Sequence, residues 1–117
     1  MDESISFVDG LVQAVPELTD CYRQHIEDND ELLPHVFMGD VTRFAVDQAA
    51  NSKDYQILKQ LLKYLDAGIQ SGSTEICELV GVSFLENLIG EDAALDKLLP
   101  MMGKALYSEA QLTGLIK

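Results

Sequence analysis

Cys21 and His25 stand four residues apart. On a helix that spacing places a thiol and an imidazole on one face, as a metal site requires, and Glu17 or Asp28 would supply a third ligand. No second Cys/His pair closes such a site, so the residues read as a buried thiol and a core histidine. His35 follows Pro34 at a helix start, where its ring is expected to cap a neighbouring carbonyl or to pack against a Tyr or Phe. Asp40 lies five residues further on, which is not one helix face, so the spacing sets up no His–Asp pair. The run Glu27-Asp28-Asn29-Asp30-Glu31 is rich in oxygen ligands but lacks the glycine at position six and the glutamate at position twelve of a calcium loop. There is no GxSxG, no P-loop and no dinucleotide fingerprint. The expectation is a protein that binds rather than catalyses, with no metal and no cofactor.

What it binds is read from charge. The chain has 20 Asp and Glu against 8 Lys and Arg, a formal net of -12. Residues 1–47 hold eleven acids and two bases, whereas residues 48–117 hold nine acids and six bases. A field this one-sided repels nucleic acid and anionic membrane and attracts basic protein surfaces. Mimicry of DNA by carboxylates spaced like phosphates is compatible with it; plain solubility is the simplest reading of the charge alone.

The elements that position these residues follow from length and periodicity. One chain of 117 residues fits a single domain, 1–117, able to bury roughly two thirds of its unfolded surface. A hydrophobic fraction of 47% is too high for a disordered acidic tail. No apolar run approaches the ~20 residues of a membrane span. The start, MDESISFVDG, has acids where a signal peptide needs positive charge, so the cytoplasm is expected. Cys21 and Cys77 then read as thiols, their pairing left open.

Strand signals are nearly absent and helical spacing dominates. The first helix is expected over 3–15, capped by Ser4, with Ile5, Val8, Leu11, Val12 and Val15 inward. Pro16 stops it and opens a second over 16–28, with Leu18, Cys21, Tyr22, His25 and Ile26 along one side. A third covers 34–51, with Val36, Phe37, Val41, Phe44, Ala45 and Gln48 in a stripe and Gly39 where another helix crosses closely. A fourth covers 53–70, capped by Asn51 or Ser52, with Lys59 and Lys63 placed to pair with Asp66. Ser73 or Thr74 caps a fifth over 74–89, apolar almost all round and so central, ended by Gly90. A sixth runs over 92–99 or on to 106 and is broken near Pro100, and a last over 108–116 starts at Ser108. The fold class expected is all-α: a single-domain irregular bundle of six to seven helices stacked as antiparallel pairs.

Two phrases carry a resemblance: LPHVFMGDVTRF (Leu33 to Phe44) and GSTEICELVGVSFLENL (Gly72 to Leu88), with Pro16-Glu17 before them. Over residues 15–90 the chain resembles a family of small acidic all-helical bacterial proteins that look like immunity proteins of polymorphic, contact-dependent toxins. The resemblance implies tight binding to a cognate toxin protein, basic where its substrate is a polyanion such as a nuclease's. Glu27, Asp28, Asp30 and Glu31 are expected to face that partner, with Asp40 and Asp47, which are seven apart and share a helix face. Three other readings stand beside it. The first is a helical adaptor with an apolar groove, and the second an enzyme with an unrecognised pocket. The third is a homo-oligomer joined through Leu112, Leu115 and Ile116.

Overall fold

Asp2 starts the first helix: its carboxylate accepts from the backbone N–H of Ser4 (2.9 Å) and Ile5 (3.4 Å). This corrects the expected cap at Ser4, which is already inside the helix and buried. The computed structural model describes residues 2–116. Within them the chain is all-helical: α1 (Glu3–Ala14), α2 (Thr19–Asn29), α3 (Pro34–Asn51), α4 (Gln56–Gln70), α5 (Thr74–Val80), α6 (Asp92–Leu98) and α7 (Lys104–Leu112). Short 3-10 turns at Pro16–Leu18, Glu86–Leu88 and Leu99–Met101 join them, and a π turn at Gly81–Leu85 continues α5. The Cα radius of gyration is 13.1 Å, as expected for one folded unit of this length.

α3 is the hub. It packs on α2 and α6 at its flanks and on α4, α5 and the π turn beneath. Phe37, Met38, Val41, Thr42, Ala45 and Ala49 form its buried face, so the inward stripe sits one residue round from the expected one. Val36 is 51% exposed as a result. In α1 a rotation in the opposite sense brings Phe7 inward and leaves Ile5 39% exposed. The core continues through Leu58, Leu61, Leu62 and Leu65 of α4 and Leu79, Val80, Phe84, Leu85 and Leu88 beyond it.

α1 and α4 interlock through two glycines. A Cβ on Gly68 would overlap the Phe7 ring, and one on Gly10 would overlap the Tyr64 hydroxyl. The two rings lie 4.9 Å apart, and the Tyr64 hydroxyl donates to the Phe7 carbonyl at 2.8 Å. Gly39 is different: a Cβ there would meet only Asn87 Nδ2, at an ordinary 3.7 Å, so no helix crosses tightly at that point. α7 does pass close over Gly81, where a Cβ would come within 3.2 Å of Glu109.

The fifth helix is not continuous to residue 89. At Gly81–Leu85 the backbone takes a π turn, with Glu86 N–H donating to the Gly81 carbonyl five residues back. Its loosened carbonyls are satisfied from the side: Asn87 Nδ2 donates to Ser83 O (2.8 Å) and Thr42 Oγ1 to Phe84 O (3.1 Å). Val82 and Ile89 end up on the surface. Ser73 caps α5 as expected through Ile76 N–H, and Gly90 takes the left-handed conformation after the last turn (φ +92°).

The last helix starts at Lys104, not Ser108. Asp66 fixes that start. It turns inward rather than toward Lys63, and its Oδ1 accepts from Leu106 N–H at 2.8 Å while Oδ2 accepts from Gln70 Nε2 at 2.6 Å. A carboxylate from α4 thus does what a local cap does for other helices. Similarly α4 begins at Gln56, after Asp54 has accepted its N–H (3.0 Å), and not at residue 53. At the C-terminal end Leu112 is 81% exposed, but Leu115 and Ile116 pack against the core, so the expected exposed trio reduces to one residue.

Candidate functional site

α2 and α3 are joined by a tight reversal. Asp30 ends α2 in the left-handed conformation (φ 63°), which a short polar side chain tolerates, and Pro34 opens α3. His25 holds the reversal from inside. Its side chain is fully buried, and Nε2 accepts from Leu33 N–H at 3.0 Å. The ring proton therefore belongs on Nδ1, which lies 3.7 Å from Asp40 Oδ2. The ring also sits edge-on to Phe37. With Nε2 already used, His25 has no lone pair for the metal that its spacing from Cys21 suggested. Among the described residues no group of three His, Cys, Asp or Glu side chains is placed to hold a metal ion.

Between α2 and α3 runs a groove of about 740 Å³. Asp20, Gln24 and Asp28 line it at successive turns of α2; Val36, Asp40, Arg43, Phe44 and Asp47 line it from α3. Asp28 accepts from Gln24 Nε2 (3.0 Å), and Asp47 from Asn51 Nδ2 (2.9 Å). Asp40 forms an ion pair with Arg43. Of the six acids expected at a partner surface, Asp28, Asp40 and Asp47 therefore share one groove. Glu27, Asp30 and Glu31 are exposed but do not line it, because they lie round the helix or past the reversal at Asp30. Asp20 belongs to the groove and was not expected. Its signal was its eight-residue separation from Asp28, two turns along the same face.

Among the described residues His35 neither caps a carbonyl nor stacks on a ring. Its Nδ1 lies within hydrogen-bond distance of Ser83 Oγ, tying the start of α3 to the π turn. The adjoining pit is lined by Asp2, Ser4, Pro34, His35, Glu75 and Glu78. Ser83 is buried behind it, so its hydroxyl is not presented there as a nucleophile.

Cys21 and Cys77 are both free thiols. Burial pushes the Cys21 thiol above the ordinary range and the Asp20 carboxylate pushes it further, against a weaker pull from Arg43. Burial and then Glu109 do the same to Cys77. Burial raises Tyr64, and burial followed by Asp9 raises Tyr22. All four groups hold their proton more tightly folded than unfolded. The stability they add is complete below the ordinary thiol value of about 8.5 and is lost as pH rises through the raised folded values. The thermal midpoint is therefore expected to be flat from neutral pH to about pH 8.5 and to fall above it. At neutral pH iodoacetamide is expected to label the folded thiols several-fold more slowly than the unfolded ones, as the thiolate is the reacting form. Calorimetry across this pH range and mass spectrometry check the two outcomes.

No curated protein and no solved structure matches the chain in sequence or fold comparison. A family profile does match, and it extends past both ends of the 15–90 stretch on which the sequence resemblance rests. The match covers residues 8–113, from α1 to the end of α7, and by it the chain belongs to the family described as Domain of unknown function (DUF7674).

Proposed function

We propose that this chain is an immunity-type binding protein that neutralises a cognate basic toxin domain by covering it with the α2–α3 face. The observation that carries the reading is the groove itself, which four carboxylates and one guanidinium line together with the exposed Val36 and the half-buried Phe44. Carboxylates at the rim steer a basic partner and set its register, and apolar anchors inside the rim set residence time. A toxin that acts on nucleic acid carries a basic cleft, and an acidic cover competes for it; steering of this kind raises association roughly 10–1,000-fold at low salt. The exposed Val36 and the half-buried Phe44 in the lining also favour a second reading, a non-catalytic helical adaptor, because an adaptor needs apolar anchors in its groove.

The test is co-purification and titration against the protein encoded directly upstream, at low and high salt, with rescue of cells that express it. Binding that weakens about tenfold or more with salt, together with rescue, supports immunity. Binding without rescue moves the adaptor reading to the front, and absence of binding removes the immunity reading.

A further inference from the structure

We infer that α2 is a detachable wall of the groove. It leaves α3 and melts as one unit while α1 and α3 to α7 stay folded. This is a property of the free chain, whatever fills the groove.

Little holds α2 in place. Of its eleven residues only His25 is buried, whereas α4 buries Leu58, Leu61, Leu62 and Leu65. Apolar burial is the main source of stability, so α2 is the weaker element. It packs mainly on α3 and on the turn at Pro16–Leu18. Two ring contacts reach Phe37, from Tyr22 and from His25. The Tyr22 hydroxyl meets Asp9 of α1 at the surface and at a long 3.4 Å. The polar groups along the groove are satisfied within their own helices. On α2, Arg23 pairs with Asp20 and Gln24 donates to Asp28; on α3, Arg43 pairs with Asp40 and Asn51 donates to Asp47. Among the described residues the His25 to Asp40 approach, at 3.7 Å, is the one charge contact across the groove. The pairs within each helix survive when the walls part, and Asp20 and Asp28 gain distance from Asp40 and Asp47.

Both ends of α2 are jointed. Val15 leaves the helical conformation (φ -127°, ψ 79°) ahead of Pro16, while Leu18 stays fully buried in the core. At the other end Asp30 is left-handed, and Leu33 N–H is held by His25 of α2 itself. An isolated helix shorter than ~12–15 residues is marginal in water, so α2 loses its backbone hydrogen bonds once it leaves α3. Its departure bares the edge of Phe37 that Tyr22 and His25 cover. The groove thus has a fixed wall on α3 and a removable one on α2.

The test is native-state hydrogen exchange on the full chain, read amide by amide by NMR. Amides from Arg23 to Asn29 are expected to share one protection factor, about 100-fold or more below that of Gln60 to Gln70 in α4. In low guanidinium their rates should rise less steeply, because their opening exposes less surface. Asp66→Ala strikes the contact of α4 with α7 and burdens the closed and the α2-open states alike. It is therefore expected to speed the α4 amides about 100-fold and to leave the α2 amides within about twofold. Equal protection and equal denaturant slope for α2 and α4 would overturn the inference, as would equal acceleration of both by Asp66→Ala. Protection that falls residue by residue from the ends of α2 would mean fraying and would overturn the single unit. The comparison in the unmodified chain decides the matter if Asp66→Ala fails to fold.

Discussion

Replacing Phe37 with alanine is expected to lower the stability of the chain by about 4 kcal/mol, the typical loss for a fully buried phenylalanine. The ring has no exposed surface, and it meets Tyr22 and His25 of α2 edge-on, each at 5.6 Å between centroids. It is therefore a contact through which α3 holds α2, beside the His25 links, and deleting it opens a cavity between the two helices. For a chain of this size about 4 kcal/mol is a fall in thermal midpoint of roughly 16 °C. Val36→Ala, one residue earlier on the wet face, is expected to stay within about 0.5 kcal/mol. Chemical denaturation of the two variants checks the pair. A loss under about 1 kcal/mol for Phe37→Ala would mean that α2 is not anchored by this ring.

Asp66→Ala is expected to remove about 3 kcal/mol, or roughly 12 °C. The carboxylate is buried and accepts from both Leu106 N–H and Gln70 Nε2. Its removal strips the first turn of α7 of its side-chain acceptor and leaves an amide in a dry site without a partner. Gly103→Ala should do comparable damage by another route, because its methyl group would occupy the space of the Asp66 carboxyl group. The two substitutions strike one contact, so the double variant is expected to lose clearly less than the sum of the singles. Additive losses in thermal unfolding would show that Asp66 and Gly103 act separately.

These two sites mark where the sequence could and could not be read. The bounds of α3 were legible because a proline opens it and its apolar residues keep one face from Phe37 to Ala49. The cap at Ser73 was legible because its partner, Ile76 N–H, lies three residues on, and Gly90 because a left-handed turn after a helical run calls for glycine locally. The start of α7 was not, because the group that caps it comes from forty residues earlier. For the same reason Asp66 read as a surface partner of Lys63. Asp40 and Asp47 could be placed on one face by counting. Glu27, Asp30 and Glu31 were grouped with them by nearness in sequence, but Glu27 lies round α2 and the left-handed turn at Asp30 carries Asp30 and Glu31 away. The link from His35 to Ser83 joins residues 48 apart and had no local signal.

The π turn at Gly81–Leu85 gives the segment a spare residue. A turn closed five residues back holds one more residue than the α turn it replaces, and each residue of an α-helix advances the chain by about 100°. Length therefore matters here more than identity. Deleting one residue from this stretch would let the helix close regularly, yet it would swing either Val80 and Leu79 or Leu85 and Leu88 out of the core. A same-length change such as Val82→Ala leaves every inward residue where it is. The stretch is thus expected to tolerate exchange of its exposed residue and to reject any change in the number of residues it holds.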